Sequence, residues 1–561
     1  MAQPAKSPNF LVIVADDLGY SDVSPFGGEI ETPTIERLAK EGIRLTNFHT
    51  ASACSPTRAM LLSGTDHHIA GLGQLSEHMM GHENKYKGRP GYEGYLNFRV
   101  AAASEIFQDA GYLTLMSGKW HLGLEPHLSP HARGFDRSFS FLPGSGNHYN
   151  YEPQSEPGRP TPRFMSSDGW WMQDGEKIDR QRDLPEDFYS SKTFTDRLLG
   201  FFQERSPKQK DQPFFAFLPF TAPHWPLQAP RKTIEKYKGR YDTGPERLRE
   251  QRLASLIDLG LVPKDVEPAP ITGALHIDQE WEAKSPEERE RSARNMEVYA
   301  AMVDEIDQNV ARVVSYLEST DELDNTFILF MSDNGAEGVL LEAIPTMGDK
   351  QSFSAILDQF YDNRLENIGN PDSWTWYGPR WACASMAPSR GFKTWITEGG
   401  IRCPCIVRYP KLHQPAYAHT DAFTTVMDIL PTMLELAGIK PPADTFRERA
   451  IVPMRGSSWV PHLTSPDLQS SSVHDENEHI TGWELFGLRA IRRGPWKALW
   501  MPPPRGKDCW ELYNVADDPG EMHDKADDEP DILEILVKHW EQYYTETGMF
   551  DYGHVFPYVM Q

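Results

Sequence analysis

Three short, continuously apolar segments restrict the possible folds of this chain more than any other feature. They are residues 10–15 (FLVIVA), 214–218 (FFAFL) and 327–331 (FILFM). Runs of this length, rich in β-branched and aromatic residues, predict strands that are buried on both faces. Such strands are typical of an α/β protein, in which helices cover both sides of a mostly parallel sheet.

Polar residues follow two of these predicted strands at the point where each strand ends. Asp16 and Asp17 come directly after the first strand, and Asp333 and Asn334 come after the third. Open α/β sheets place their ligand sites at the carboxyl ends of strands. Because two adjacent carboxylates repel each other, the aspartate pair favours a bound cation. Without that context, the same residues are an ordinary solvated acidic pair and an ordinary turn.

A cysteine stands at the predicted start of a helix in residues 52–64 (SACSPTRAMLLSG). Pro56 suits the first helical turn, because its missing N–H has no partner there. Arg58 follows Cys54 by about one turn, and a guanidinium beside a helix N-terminus forms a site for a tetrahedral oxyanion. Spacing alone equally allows a helix start with a buried thiol and a surface arginine.

Length and charge narrow the classes of function. The chain has 561 residues, 39% of them hydrophobic, which suffices for one large α/β domain with an appendage. Its formal net charge of −25 argues against nucleic acid and anionic membranes as partners, because it offers no basic field to attract them. The charge also opposes an anionic substrate, so such a substrate requires a local cluster of cations.

The sequence also favours a reducing compartment. Five cysteines in a chain of this length are too few, and odd in number, for a disulfide framework, and they predict reduced thiols. The first apolar run is too short for a signal segment, and no run is long enough to cross a bilayer. We therefore expect a cytoplasmic protein without a membrane partner.

Apolar spacing and capping signals predict the remaining elements. Aromatic residues in 336–392 either line an aryl pocket or lid, or pack as ordinary core. The pattern of apolar residues along the chain changes after about residue 455. The predicted elements are helices at 33–40, 100–110, 286–318, 422–437 and 532–544, strands at 43–49, 112–116 and 488–500, and a long loop at 122–190.

Several motifs together carry a resemblance to a known family. Residues 54–58 (CSPTR) resemble the Cys-X-Pro-X-Arg signature of type I sulfatases, and 111–121 (GYLTLMSGKWH) resemble their second signature. The acidic pair at 16–17 and the Asp-Asn-Gly segment at 333–335 resemble the metal ligands of that family. The similarity runs from about Asn9 to the C-terminus and is greatest to cytoplasmic bacterial arylsulfatases.

This resemblance implies a fold and a division of the chain. It implies the α/β fold of the alkaline phosphatase superfamily, with a large, mixed, mostly parallel sheet between helices. A smaller C-terminal α+β subdomain is expected to carry an antiparallel sheet. The expected boundaries are 1–455 for the catalytic domain and 456–561 for the C-terminal subdomain.

The resemblance also implies one metal ion and one modified residue. In the family, the cysteine at the position of Cys54 is oxidised to formylglycine by a formylglycine-generating enzyme. Hard oxygen donors suit Ca²⁺, whereas Mg²⁺ demands a more regular shell with several waters. Zinc is disfavoured because no His/Cys cluster of ligand spacing is present. The implied metal ligands are Asp16, Asp17, the modified Cys54, Asp333 and Asn334.

The family's mechanism assigns a role to each matching residue. The hydrated aldehyde at Cys54 is the nucleophile; Asp333 assists its deprotonation and Arg58 orients it. His121 is the expected base for the release of sulfate. In the segment 221–227 (TAPHWPL), His224 is the expected general acid for the leaving alcohol. Lys119 and Lys393 oppose the charge of the sulfuryl oxygens, and Lys393 also assists the general acid.

The expected activity is hydrolysis of sulfate monoesters, with aryl sulfates as the small-molecule substrates. One alternative is a phosphodiester or phosphonate monoester hydrolase, because related enzymes use the same aldehyde and metal. Another is a non-catalytic protein of the same fold that binds Ca²⁺ and anions. The presence of every expected catalytic residue type disfavours that second alternative.

Overall fold

The computed structural model describes residues 6–153, 170–273, 278–341, 354, 357–412 and 414–550. Within these residues the strands form one large sheet, one four-stranded sheet and two small two-stranded sheets. In chain order they are β1 Asn9–Ala15, β2 Ile43–Leu45, β3 Phe48–His49, β4 Leu113–Lys119, β5 Arg137–Phe141, β6 Trp171–Gln173, β7 Glu176–Lys177, β8 Phe214–Pro219, β9 Thr326–Ser332, β10 Cys405–Arg408, β11 Ala418–Thr420, β12 Thr424–Thr425, β13 Thr445–Phe446, β14 Arg449–Ala450, β15 Ile480–Leu485, β16 Leu488–Arg493, β17 Trp496–Trp500 and β18 Trp510–Asn514.

The large sheet is mixed and mostly parallel, as predicted. In the described residues its strand order is β11-β2-β10-β9-β1-β8-β4-β5-β6-β7. Strand β1 lies near the centre and pairs in parallel with β8 and β9. Strand β10 runs antiparallel between β9 and β2, and β6 and β7 form an antiparallel edge. The three apolar runs of the sequence are therefore three adjacent central strands.

Both faces of strand β1 are buried, which explains its continuous apolar sequence. Side chains of a strand point alternately to its two faces. Leu11 and Ile13 belong to the core that contains the apolar side of helix Pro286–Ser319. Val12 belongs to the core on the other side, which contains residues of helix Cys54–Ser63. Helices thus cover both faces of the sheet, and the predicted α/β architecture is confirmed.

The described α-helices vary from single turns to the long helix that packs on the sheet. Short 3₁₀ turns also occur, for example at Ser24–Phe26 and Val426–Asp428. The α-helices are Pro33–Lys40, Cys54–Ser63, His67–Ala70, Ser76–Gly81, Glu83–Tyr86, Ala103–Asp109, Ser190–Gln203, Pro207–Lys210, Arg231–Lys236, Gly244–Asp258, Pro286–Ser319, Pro379–Ser385, Glu398–Ile401, Ile429–Ala437, Val460–Leu463 and Pro530–Thr547.

The predicted single strand at 43–49 is wrong, because the chain changes partner inside it. Strand β2 pairs with β10 and β11 in the large sheet, whereas β3 pairs with β12 in a separate sheet. Between them the N–H of Thr46 donates to the carbonyl of Thr420. The predicted helix at 422–437 is correspondingly shorter, because its first residues form β12 and a 3₁₀ turn before helix Ile429–Ala437.

Two further predictions are corrected by long-range contacts. The helix predicted from residue 100 begins at Ala103, where the carboxylate of Glu105 accepts the N–H of Ala102. The guanidinium of Arg133 donates to the carbonyl of Val100, which keeps the preceding chain outside the helix. The predicted loop 122–190 contains strands β5, β6 and β7, and its residues 154–169 lie outside the described part.

The C-terminal region forms its own sheet, as predicted. Strands β15 to β18 are antiparallel in sequential order. Ile491 and Leu512 of this sheet share a hydrophobic cluster with Trp540 of helix Pro530–Thr547. The boundary at residue 455 stays a prediction.

Only part of the aromatic segment 336–392 is described, since residues 342–353 and 355–356 lie outside that part. Trp381 packs within the core that contains the apolar side of helix Pro286–Ser319, which agrees with the interpretation of these aromatic residues as ordinary core. Trp374 instead belongs to a small separate cluster with Tyr361.

Candidate active site

The carboxyl ends of four central strands converge on one group of polar side chains. Strand β1 leads to the pair 16–17, β9 leads to 333–334, β4 ends at Lys119, and β8 leads to the loop of His224. The N–H of Asp333 donates to the carbonyl of Ala15, so the ends of β1 and β9 are tied together. This is the edge at which α/β sheets place their ligands.

Cys54 is the first residue of helix Cys54–Ser63, and it faces the acidic pair. Its Sγ lies 3.3 Å from Oδ1 of Asp17, and its side chain is buried. The sulfur and carboxylate oxygens of Asp16, Asp17 and Asp333 all lie within 4.8 Å of one another. The structure therefore brings together these residues, which are separated by up to about 300 positions in the sequence.

Asn334 completes the set of oxygen donors. Its Nδ2 donates to Oδ1 of Asp17 at 2.7 Å. Its Oδ1 is buried and has no hydrogen-bond partner in the described structure. Asp17 adopts a left-handed backbone conformation (φ 66°), and its N–H donates to Oδ1 of Asp333. Three carboxylates and one free amide oxygen fit a hard cation such as Ca²⁺.

Two buried cations bind the carboxylates, namely Arg58 on the helix Cys54–Ser63 and Lys119 at the end of β4. Arg58 donates through Nε to Oδ2 of Asp333 at 2.9 Å, and its Nη2 lies 3.4 Å from Oδ1 of Asp16. Lys119 donates through Nζ to both oxygens of Asp16, at 2.8 and 2.7 Å. Arg58 is fully buried, so the alternative of a surface arginine is excluded.

A third cation and a histidine lie next to Oδ2 of Asp17. Lys393 Nζ is 2.8 Å from Oδ2 of Asp17 and 2.8 Å from Oε2 of Glu337. His224 Nε2 lies 3.4 Å from the same Asp17 oxygen. His224 Nδ1 lies 2.6 Å from the carbonyl of Trp225, so Nδ1 donates this bond and Nε2 faces the site.

His121 lies next to this group and has its own carboxylate partner. Its Nε2 is 2.9 Å from Oε1 of Glu77 and 2.9 Å from the hydroxyl of Ser76. Ser76 in turn donates its N–H to the hydroxyl of Ser55, the neighbour of Cys54. His121 Nδ1 is buried without a hydrogen-bond partner in the described structure.

Burial and crowding change the acidity of these groups. Burial, together with Asp333 and Asp17, raises the pKa of Asp16 to about 8 in spite of Lys119. This crowding of carboxylates is the electrostatic condition that a bound cation relieves. Burial also raises the pKa of the Cys54 thiol well above its ordinary value, and Asp17 adds to the effect. An unmodified Cys54 is therefore held as a neutral thiol, which is a weak nucleophile.

The basic groups respond in opposite directions. Burial lowers the pKa of His224 well below its ordinary value, and Lys393 and Lys119 lower it further. Burial alone disfavours a charged Lys393, but Asp17 and Glu337 outweigh it and raise the lysine's pKa. His224 is therefore a strong acid whenever its ring is doubly protonated, while Lys393 stays cationic.

Comparison with known proteins identifies the family of this chain. The sulfatase family model matches residues 8–439, which is more than half of the chain. The chain belongs to the sulfatase family. A second model, described as the C-terminal region of N-sulphoglucosamine sulphohydrolase, matches residues 391–546 of this sulfatase.

Relatives of this sulfatase cover most of its length. An uncharacterised sulfatase of Schizosaccharomyces pombe is 53% identical over 97% of this chain and 95% of its own. An arylsulfatase of Klebsiella aerogenes is 37% identical over 82% of this chain and 92% of its own. The crystal structure of Ps i-CgsB with k-i-k-neocarrahexaose shares the fold, with a TM-score of 0.66, 23% identity and coverage of 98% and 95% of the two chains.

Sequence reasoning missed two acidic residues of this sulfatase's site. Glu77 lies 44 positions from His121, and no local pattern connects the two. Glu337 stands four positions after Asp333, in the same strand-end segment, so its position in the motif was a usable signal.

In the described residues, no helix combines the length and apolar character needed to cross a membrane.

Proposed function

We propose that this sulfatase hydrolyses sulfate monoesters, with aryl sulfates as its substrate class, after oxidation of Cys54 to formylglycine. One observation carries the proposal: Cys54 Sγ and three aspartate carboxylates meet within 4.8 Å, at a point lined by buried cations. Formylglycine at Cys54 supplies a hydrated aldehyde as a nucleophile, which a buried neutral thiol does not.

We further propose Ca²⁺ as the metal, held by Asp16, Asp17, Asp333, Asn334 and the modified Cys54. The fit rests on the donor set, which is made of oxygens and includes the partnerless Oδ1 of Asn334. When bound, the ion supplies positive charge that polarises sulfuryl oxygens.

The residues around Cys54 perform the proton transfers and the orientation. Asp333 accepts the proton of the nucleophile at its carboxylate, which is fixed by Arg58 on Oδ2 and by the Asp17 N–H on Oδ1. Arg58, which donates to this carboxylate of Asp333, also orients the nucleophile. The partnerless Nδ1 of His121 is the base that accepts a proton when sulfate is released.

Two residues next to Oδ2 of Asp17, His224 and Lys393, act on the leaving group. Nε2 of His224 faces the site, because Nδ1 is bound to the Trp225 carbonyl, and the imidazolium donates its proton to the leaving oxygen. Lys393 lies beside it, and Lys119 lies on the other side of the acidic pair. Both ammonium groups stabilise the charge on the sulfuryl oxygens during transfer.

An aromatic residue beside His224 supports an aryl substrate. The Trp225 ring lies 4.5 Å from the His224 ring, between centroids, and it is partly exposed. Flat apolar surfaces of this kind bind aryl groups. The similarity to the Klebsiella aerogenes arylsulfatase points in the same direction.

Maturation requires a partner enzyme that acts early. Cys54 is 1% exposed, so we propose that a formylglycine-generating enzyme modifies the chain before this site closes. All five cysteines are free thiols, which supports the cytoplasm as the compartment.

Substitution of Cys54 tests the proposal. We expect Cys54→Ala to reduce turnover of nitrophenyl sulfate by roughly a thousandfold or more, since it removes the nucleophile. Thermal unfolding should change little. The matched control is Cys383→Ala, which removes another buried free thiol outside the site and should keep the activity.

Mass spectrometry of the Cys54 peptide supplies the second measurement. An active preparation with an unmodified thiol would contradict the formylglycine proposal. Faster turnover of an aryl phosphodiester or an aryl phosphonate monoester than of the aryl sulfate would favour the alternative hydrolase. Binding without turnover by fully modified protein would favour a non-catalytic role.

A further inference from the structure

Glu337 is a charged residue of the site that the proposed chemistry does not use. Its side chain is 6% exposed, and its Oε2 lies 2.8 Å from Nζ of Lys393. Its Oε1 accepts the N–H of Val339 at 2.9 Å. Because both oxygens have partners, the carboxylate is held in a fixed position next to Lys393.

This position places a negative charge beside the leaving-group residues. A carboxylate oxygen of Glu337, a ring nitrogen of His224 and a carboxylate oxygen of Asp17 lie within 4.8 Å of one another. His224 and Lys393 are the residues proposed to act on the leaving oxygen. The charge of Glu337 is therefore close to the two residues that are proposed to act on the anionic ester.

The other acidic residues of the site have partners that Glu337 does not share. Glu77 pairs with His121. Glu337 shares Lys393 with Asp17, so two carboxylates meet one ammonium group. Glu337 thus adds a second carboxylate next to an ammonium group that already pairs with Asp17.

We propose that Glu337 makes the site select esters with one negative charge over esters with two. Sulfate monoesters and phosphodiesters carry one charge, whereas phosphate monoesters carry about two above their second pKa of roughly 6. A fixed carboxylate repels the dianion about twice as strongly as the monoanion. The inference rests on the proposed ester hydrolysis and makes Glu337 a specificity-determining residue.

Glu337→Gln tests this selection, because it removes the charge and keeps the length and an oxygen for Lys393. Three substrates with the same leaving group are compared at about pH 8: nitrophenyl sulfate, methyl nitrophenyl phosphate and nitrophenyl phosphate. We expect the kcat/KM of the phosphate monoester, relative to the sulfate, to rise about tenfold or more. The diester, relative to the sulfate, should stay unchanged.

Calorimetric binding of two inert anions gives a readout without turnover. Benzenesulfonate carries one charge and phenylphosphonate carries about two at about pH 8. The wild type should bind the sulfonate more tightly, and Glu337→Gln should gain about tenfold affinity for the phosphonate relative to the sulfonate. A wild type that hydrolyses none of the esters overturns the proposed function alone, since the binding preference still decides the role of Glu337.

Two control variants separate charge from structure. Glu337→Asp keeps the charge, so its substrate ratios should match those of the wild type even if all rates fall. Asp304→Asn removes a buried carboxylate that binds Lys236 and Tyr237, and it should leave the ratios unchanged. An unchanged preference in Glu337→Gln, equal losses on all three substrates, or a wild type that prefers the dianionic phosphonate would overturn the proposal.

Discussion

At the scale of single residues, Asn334 supports the proposed metal site. Its Oδ1 is buried beside three aspartates and lacks a hydrogen-bond partner in the described structure. A buried acceptor without a partner costs about 1–3 kcal/mol. A bound ion satisfies this oxygen and relieves the repulsion between the carboxylates at the same time.

Asn334→Ala should therefore weaken metal binding more than it weakens the fold. We expect Ca²⁺ to raise the Tm of the wild type after chelation, because a ligand of the folded state alone stabilises it. The rise should be much smaller in Asn334→Ala, as measured by a thermal titration with Ca²⁺. Asn309→Ala, which alters a buried asparagine on helix Pro286–Ser319, should show the full rise. Equal rises in all three proteins would exclude Asn334 as a ligand.

Sequence reasoning succeeded at residues whose local context carries information. Asp16 and Asp333 follow continuous apolar runs, so the parallel sheet itself brings them together. Glu77 was missed because its contact with His121 depends on how the helix Ser76–Gly81 packs, which no short motif encodes. The charge-sharing of Glu337 was missed because it depends on Lys393, which reaches the site from a distant loop.

At the scale of elements, hydrophobic periodicity predicts a helix correctly where its apolar side packs against the core. Helix Pro286–Ser319 was predicted from its capping box and apolar stripe, and the structure confirms both. The strand predicted at 43–49 failed because partner exchange between two sheets leaves no signal in hydrophobicity. A helix with a regular apolar stripe is thus predictable from the sequence. A strand that is divided by long-range hydrogen bonds is not.

The buried stripe of this helix should be a main source of stability. Ile306 is fully buried in the core beneath the sheet. We expect Ile306→Ala to lower the free energy of unfolding by about 2–5 kcal/mol, because it leaves a cavity. Ser315→Ala on the exposed side of the helix should stay within about 0.5 kcal/mol of the wild type. Denaturant unfolding measures both, and equal effects would contradict the assigned packing.

At the scale of the whole molecule, a buried polar network joins the N-terminal region to the C-terminal sheet. His68 lies between two carboxylates, with Nδ1 2.9 Å from Asp66 and Nε2 2.9 Å from Glu484 of β15. Asp66 also accepts the hydroxyl of Tyr543 at 2.6 Å. Both ring nitrogens of His68 are engaged in this network, which favours a structural role over metal binding.

This network predicts a pH dependence of stability. Burial alone lowers the pKa of His68. Asp66 and Glu484 outweigh this effect and raise the pKa to about 9, above its ordinary value of 6.5. A group whose pKa is raised in the folded state stabilises the fold fully at pH values below its pKa in the unfolded chain. This contribution is lost as the pH rises through about 9. The shift corresponds to about 3 kcal/mol.

We therefore expect the difference in unfolding free energy between the wild type and His68→Gln to shrink by about 3 kcal/mol from about pH 6 to about pH 10. Glutamine keeps hydrogen-bonding groups at the position but does not titrate, so the change isolates the imidazolium charge. His127→Gln, at an exposed histidine, should follow the wild type at every pH. A difference that stays constant, or grows with pH, would mean that His68 is neutral and that the N-terminal region is joined to the C-terminal sheet without this charge.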